Sequence, residues 1–314
     1  MFKKVAVIGA GFIGRSWSMV FARAGCGVSL YDVYPDALEQ AMILIEQNLA
    51  DLESNKLIAS ATSVSSRIKT VSTLEEAIVD AQWVQENALE QVAIKRELFD
   101  QIDKLSPVQT IIASSTSAIP CSEINTGMHG AARMLVAHPA NPPYLLPIVE
   151  LSGSLETSKD TLDRSREFLE EVGMEVITVN KETKGFVLNR LQVALLNEAF
   201  KLIEDGVVSG ADLDKTLKHG LGLRWSFMGP METIDLNAPG GIRDYLERFG
   251  PSFGEIAQEQ TEMRPWNSDK YKHLEQDRRT VMKSDELKER AKWRDRRLMA
   301  LARHKREIDK QLGT

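Results

Sequence analysis

Near its start the chain reads Val5-Ala-Val-Ile-Gly9-Ala-Gly11-Phe12-Ile13-Gly14, and helical spacing follows from Arg15 to Ala24. An apolar strand that must turn through glycines straight into a helix leaves few folds open. Gly9 permits the tight turn, Gly11 lets backbone approach a pyrophosphate, and Gly14 allows close packing of helix on strand. The helix N-terminus, with the amides around Phe12 and Ile13, supplies donors and a positive dipole end. A second apolar run, Gly27 to Tyr31, ends at Asp32. There a carboxylate can accept hydrogen bonds from ribose hydroxyls and repel a 2′-phosphate. No arginine follows at once, so the reading is NAD rather than NADP. The alternative is a glycine turn with a purely structural role.

At 314 residues the chain exceeds the ~250 to 300 at which single cores stop growing, which predicts a large domain and a smaller one. Leu38, Met42, Ile45, Leu49 and Leu52 recur at helical spacing and mark a long helix over 35–55. A polar, protruding turn is expected over 54–66. Strands are expected at 67–71, 81–86 and 110–113, with helices near 74–79 and 92–105 between them. After Glu150 come a helix over 159–172 and a strand over 173–179. This alternation predicts an α/β fold, a Rossmann-type, doubly wound and mostly parallel sheet. From Gly185 onward only helices are expected, the first apolar on most sides as a buried central helix should be. The division is therefore 1–184 for the dinucleotide domain and 185–314 for an all-α domain. Within the latter, 220–230 reads as a loop.

Ligands of such sheets lie beyond the carboxyl ends of the strands, where 87–90 and 114–117 fall. Ser117 is a candidate hydroxyl contact there, although serine-rich loops also cap helices. The stretch Val136-Ala-His138-Pro-Ala-Asn-Pro-Pro-Tyr-Leu-Leu-Pro-Ile-Val-Glu150 places an imidazole and a carboxylate at the two ends of one connection. A histidine exchanges a proton near neutral pH, and a carboxylate on its other ring nitrogen fixes the tautomer and stabilises the imidazolium. His138 and Glu150 are thus a candidate base and its orienter; the bland alternative is a stiff turn. Asn189, near the start of an apolar helix and close to the domain border, must find partners in the core or at a ligand.

The two cysteines, Cys26 and Cys121, have neither metal-ligand nor disulfide-framework spacing. No apolar run approaches the ~20 residues of a membrane span, and no signal-peptide pattern follows Met1. The expectation is a cytoplasmic protein with no membrane partner. A net charge of -6 argues against nucleic-acid binding. Charge is nonetheless uneven, since 264–314 holds 16 Lys and Arg against 9 Asp and Glu. Its acids are interspersed and Leu298, Leu301 and Ile308 give it an apolar edge. We read a helix that docks on the acidic body or on a second subunit.

With the glycine fingerprint, Glu90 and Lys95, Ser114-Ser-Thr-Ser117, His138-Pro-Ala-Asn141-Pro and Gly185-Phe-Val-Leu-Asn189-Arg190 together, the chain resembles the 3-hydroxyacyl-CoA dehydrogenase superfamily. The resemblance covers most of the chain. It implies NAD-dependent dehydrogenation, with Ser117, His138, Glu150 and Asn189 as the catalytic set and Asp32, Glu90, Lys95, Ser117 and Asn141 on the cofactor side. It also implies a homodimer formed through the helical half, where Leu195, Leu196, Leu213 and Leu217 offer an apolar face. Within the superfamily the likeness is nearest to the lambda-crystallin and L-gulonate 3-dehydrogenase branch, through His138 to Tyr144, Gly185 to Gln192, Ser209 to Asp214, Gly220 to Arg224 and Gly229 to Thr233. Ala140, the long loop before Gly229-Pro230 and the extension around Trp293-Arg294-Asp295 depart from the short acyl-CoA enzymes. These departures point away from a CoA thioester and toward a small hydroxy acid, with 3-hydroxybutyryl-CoA as the alternative substrate. Arg224 is the candidate for its carboxylate, while an Arg-Trp pair like Arg224-Trp225 also occurs in L-carnitine dehydrogenase. An NAD-binding crystallin-like protein without turnover is the alternative of another class.

Overall fold

The computed structural model describes residues 2–262 and 264–313. Eight strands form one sheet: β1 (Lys4–Ile8), β2 (Gly27–Tyr31), β3 (Ile68–Thr70), β4 (Trp83–Glu86), β5 (Ile111–Ser114), β6 (Met134–Pro139), β7 (Ile148–Ser152) and β8 (Glu175–Thr178). Their order is β3-β2-β1-β4-β5-β6-β7-β8. Neighbours are parallel except β6 and β7, which run antiparallel with His138 opposite Glu150. The doubly wound α/β sheet is therefore present, and its order reverses beside β1, at the glycine turn. Among the described residues no strand follows Thr178.

Alternation along β1 shows why the interior strands are apolar throughout. Val5 and Val7 join a core with Trp17, Phe21, Leu49 and Phe168, whereas Ala6 and Ile8 join another with Ile78, Val84 and Phe99. Both faces are covered, as crossover helices require. The expected turn over 54–66 contains a short helix, Ala61–Ser65, capped by Ser60, and Leu57 and Ile58 pack on the core. Two apolar residues in a polar stretch were enough to fold it back.

Compact grouping divides the chain into Met1–Asn189 with Lys288–Thr314, and Arg190–Leu287. This differs from the sequence division chiefly in the tail, which groups with the first unit. Helix Leu287–Leu312 places Met299, 1% exposed, in the core that holds Leu49 and Leu52. Asn55 Nδ2 lies 3.5 Å from Met299 Sδ, and Arg306 donates to Leu57 O.

In the second unit the expected loop over 220–230 is largely helical. Helix Gly210–Thr216 continues through a π-helical turn, Leu217–Leu221, into Gly222–Trp225. Gly222 N–H donates five residues back to Leu217 O, and the two come so close that a Cβ on Gly222 would lie 2.8 Å from that oxygen. Helix Leu188–Glu204 is not buried as its composition suggested. Only Ala199 is buried, and Leu191, Val193 and Leu195 are exposed.

Candidate active site

The glycine turn is built as the strand-to-helix connection demands. Gly9 has φ +95°, and a Cβ there would stand 2.8 Å from Asn87 O. A Cβ on Gly14 would fall 1.7 Å from Gly9 O, so only hydrogen fits where helix Phe12–Arg23 meets the strand. Gly11 faces open space and caps that helix without any side-chain hydrogen bond. The first-turn amides, those of Phe12 and Ile13 among them, are left for a phosphate group. Asp32 accepts from Ala10 N at 2.7 Å and Tyr34 N at 3.0 Å, which fixes its carboxylate at the end of β2. These residues fit a dinucleotide with a free ribose diol.

The strand register then delivers the second half of the site. His138 and Glu150 are direct partners across β6 and β7, both buried, with Nδ1 and Oε2 2.7 Å apart. The other oxygen of Glu150 accepts from Val187 N and Leu188 N at 2.8 and 2.9 Å, at the start of helix Leu188–Glu204. Burial pushes the Glu150 carboxyl up, but hydrogen bonds from His138, Leu188 and Val187 outweigh it and hold it below the usual range. A carboxylate only accepts, so Nδ1 carries a proton, and in the neutral imidazole Nε2 presents a lone pair.

The Ser117 loop is held from two sides. Asn189 Nδ2 donates to Ser117 O at 2.7 Å, and Glu90 Oε1 accepts from Ser117 N at 2.8 Å, Ala118 N at 3.2 Å, Ser117 Oγ at 3.3 Å and Thr116 Oγ1 at 2.6 Å. The Glu90 carboxyl, pushed up by burial, is drawn lower on balance by Thr116, Lys95 and these amides. Lys95 does not face the surface. Its ammonium is buried against Glu86, at 2.9 and 3.1 Å, and Ala88 O, with Glu90 Oε2 at 3.5 Å.

Asn141 is exposed at the cis Asn141–Pro142 bond that opens the turn between β6 and β7. Arg224 lies in the second unit just past the π turn; its Nε is buried and has no hydrogen-bond partner among the described residues.

Two features were not singled out from sequence. Glu86 ends the fully buried β4, where a charge demands a partner, and that demand was the available signal. Tyr144, between His138 and Glu150, donates its hydroxyl to Asp295 Oδ2 at 3.2 Å, and its carbonyl accepts from Arg23 at 2.8 Å. Burial and the Asp295 carboxylate push the phenol up, so it stays a donor. The two positions are 151 residues apart, and no local pattern joins them.

Comparison with known proteins agrees with the fold. The family model for the NAD-binding domain of 3-hydroxyacyl-CoA dehydrogenase matches residues 4–183, and that for its C-terminal domain matches 185–280. The lambda-crystallin homolog of Homo sapiens is 36% identical over 98% of both chains. An L-carnitine dehydrogenase of Streptomyces griseus is 40% identical over 80% of this chain and 74% of its own. Among solved structures, 5-formyl-3-hydroxy-2-methylpyridine 4-carboxylic acid 5-dehydrogenase, an NAD+-dependent dismutase, superposes with a TM-score of 0.84 at 26% identity, covering 96% and 98% of the two chains.

Proposed function

The chain belongs to the 3-hydroxyacyl-CoA dehydrogenase family and binds NAD, and from that premise we propose that it oxidises the 3-hydroxyl of a small hydroxy acid, in the manner of an L-gulonate 3-dehydrogenase. The observation that carries this is the buried His138–Glu150 pair at 2.7 Å. His138 Nε2 takes the proton from the alcohol, and Glu150 stabilises the imidazolium that results. Ser117 and Asn189 hold the reacting oxygen. Gly9, Gly11, Phe12, Ile13 and Gly14 seat the pyrophosphate, Asp32 the adenosine ribose, and Glu90 and Asn141 border the nicotinamide side. When bound, NAD accepts the hydride from the carbon that bears the hydroxyl.

Replacing His138 with Ala should lower turnover by ~100 to 10,000-fold and leave NADH binding nearly intact. Turnover close to that of the parent enzyme would end this reading. Initial rates of NADH formation on L-gulonate, L-carnitine, 3-hydroxybutyrate and 3-hydroxybutyryl-CoA choose among substrate classes. Complete silence on all of them, with NADH still bound, would favour a crystallin-like role without turnover.

A free acid rather than a CoA thioester is supported by Arg224, whose Nε is buried without a hydrogen-bond partner among the described residues. A guanidinium so placed is suited to a carboxylate, which it grips through charge-assisted bonds. The relatives named for carnitine and for a pyridine carboxylic acid favour the same class. Arg224→Met should raise KM for the acid by roughly 10 to 100-fold, the ~1.5 to 3 kcal/mol of a charged hydrogen bond. An unchanged KM would remove Arg224 from the substrate site.

A further inference from the structure

Under the Ser117 loop lies a closed ring of five side chains. Lys95 binds Glu86 at 2.9 Å, Glu86 Oε2 accepts from Ser114 Oγ at 2.5 Å, and Ser114 Oγ accepts from Thr116 N at 3.2 Å. Thr116 Oγ1 donates to Glu90 at 2.6 Å, and Glu90 returns to Lys95 at 3.5 Å. Glu86, Lys95, Ser114 and Thr116 are each at most 1% exposed. We propose that Glu86 and Lys95 are positioning residues for this loop: their buried pair sets, through Ser114, Thr116 and Glu90, where the Ser117 amide and hydroxyl stand.

The argument runs through what each group has left to give. An ammonium has three protons, and Lys95 directs its own to both oxygens of Glu86 and to Ala88 O, with Glu90 Oε2 an ion-pair neighbour at 3.5 Å. Glu86 Oε1 also accepts from Ala88 N at 2.6 Å, so the pair anchors the turn that leads to Glu90 as well as the end of β5. Glu90 then carries the Ser117 and Ala118 amides on one oxygen. At 3.3 Å the Ser117 hydroxyl is more loosely bound to Glu90 than the amide at 2.8 Å. The backbone is thus fixed while the hydroxyl is free to turn to a substrate oxygen. A charge pair this deep costs more in desolvation than a packed apolar pair, which is a reason to look for its use in placement rather than in stability.

The inference rests on the reading that Ser117 holds the reacting oxygen, and the test separates the two. Full-length Glu86→Gln/Lys95→Met removes both charges together, so no lone buried charge remains; Ser114→Ala breaks the ring without touching a charge. In both, amide hydrogen exchange over 116–118 should speed up at least about tenfold while β1 is unchanged, the loss of roughly one hydrogen bond. In Ser114→Ala, NADH binding, followed by fluorescence, should stay within about twofold. In both variants kcat on L-gulonate at saturating NAD should fall about tenfold. Unchanged exchange and kcat would reduce the pair to packing. Weaker NADH binding with unchanged exchange would make Lys95 a cofactor ligand and overturn the proposal. If the paired variant does not fold, Ser114→Ala decides by the same criteria. Ser117→Ala with full kcat would sink the underlying reading alone, because the exchange result does not depend on substrate.

Discussion

Glu150→Gln isolates the orienting carboxylate with almost no change of shape. The native side chain accepts three hydrogen bonds, from His138 Nδ1 at 2.7 Å, Val187 N at 2.8 Å and Leu188 N at 2.9 Å. A glutamine has one acceptor oxygen and one NH2. If the oxygen stays with the two amides, the NH2 faces Nδ1, which must then accept. The imidazole proton moves to Nε2, and the atom that should take the alcohol proton already holds one. If the amide flips, its NH2 meets two N–H donors at the helix start and leaves both unsatisfied. The first arrangement disables the base; the second keeps the tautomer, but it sacrifices two amide hydrogen bonds at the helix start and removes the charge that stabilises the imidazolium. A wrong tautomer in a histidine-carboxylate pair costs up to ~10,000-fold, and at about 1.4 kcal/mol per decade a loss of 1,000 to 10,000-fold is ~4 to 5.5 kcal/mol of transition-state stabilisation. Single-turnover NADH formation with the enzyme preloaded with NAD would measure it free of product release. A rate within tenfold of the parent would show that Glu150 does not set the tautomer. The same variant carries a pH signature. The Glu150 carboxyl is held below its ordinary value in the folded state, so its charge adds stability above the unfolded value of about 4.3. That contribution is lost as pH falls through the lower, folded value. The stability gap between parent and variant should therefore close only in the acid range.

Asp32→Ala should weaken NAD and narrow the preference against NADP, since both the ribose hydrogen bonds and the repulsion of a 2′-phosphate disappear; equal KM values for both cofactors in parent and variant would refute it. Leu191, Val193, Leu195, Phe249 and Phe253 are all exposed on a single chain, and apolar side chains exposed together in this way mark interaction surfaces. We expect a homodimer, and light scattering that gives a monomer at micromolar concentration would contradict this.

Much of the sheet was legible because its constraints are local. Gly9 and Gly14 occupy positions where a Cβ meets backbone, and such necessity shows directly as glycine spacing. His138 and Glu150 were legible for a related reason: two apolar runs joined by a short proline-rich turn pair antiparallel, and the register then sets their ends opposite. Glu86 was harder to see, because a glutamate closing an apolar run looks like a strand meeting solvent, and its partner lies on the next helix. The π turn at 217–221 has no pattern beyond Gly220 and Gly222, and glycine in a helical stretch reads first as a break. Helix Leu188–Glu204 exposed a limit of composition itself. Apolarity on most sides says that the surface must be covered, but not that this chain covers it.

The tail shows the same limit for charge. Its basic surplus pointed to an acidic body, and Arg296 does approach Asp51, at 3.8 Å. Both side chains are well exposed, and such pairs contribute ~0 to 1 kcal/mol. Met299 is 1% exposed, and burying a methionine side chain contributes about 1.5 to 3 kcal/mol. Hydrophobic anchoring therefore sets where the helix docks, and the charges only make that face acceptable. Asp295 stands four residues before Met299 and so shares its helix face. From there it takes the hydroxyl of Tyr144, in the turn between His138 and Glu150. Anchoring at Met299 thus also fixes the middle of the turn that joins the base to its carboxylate, which ties a distant apolar contact to the geometry of the site.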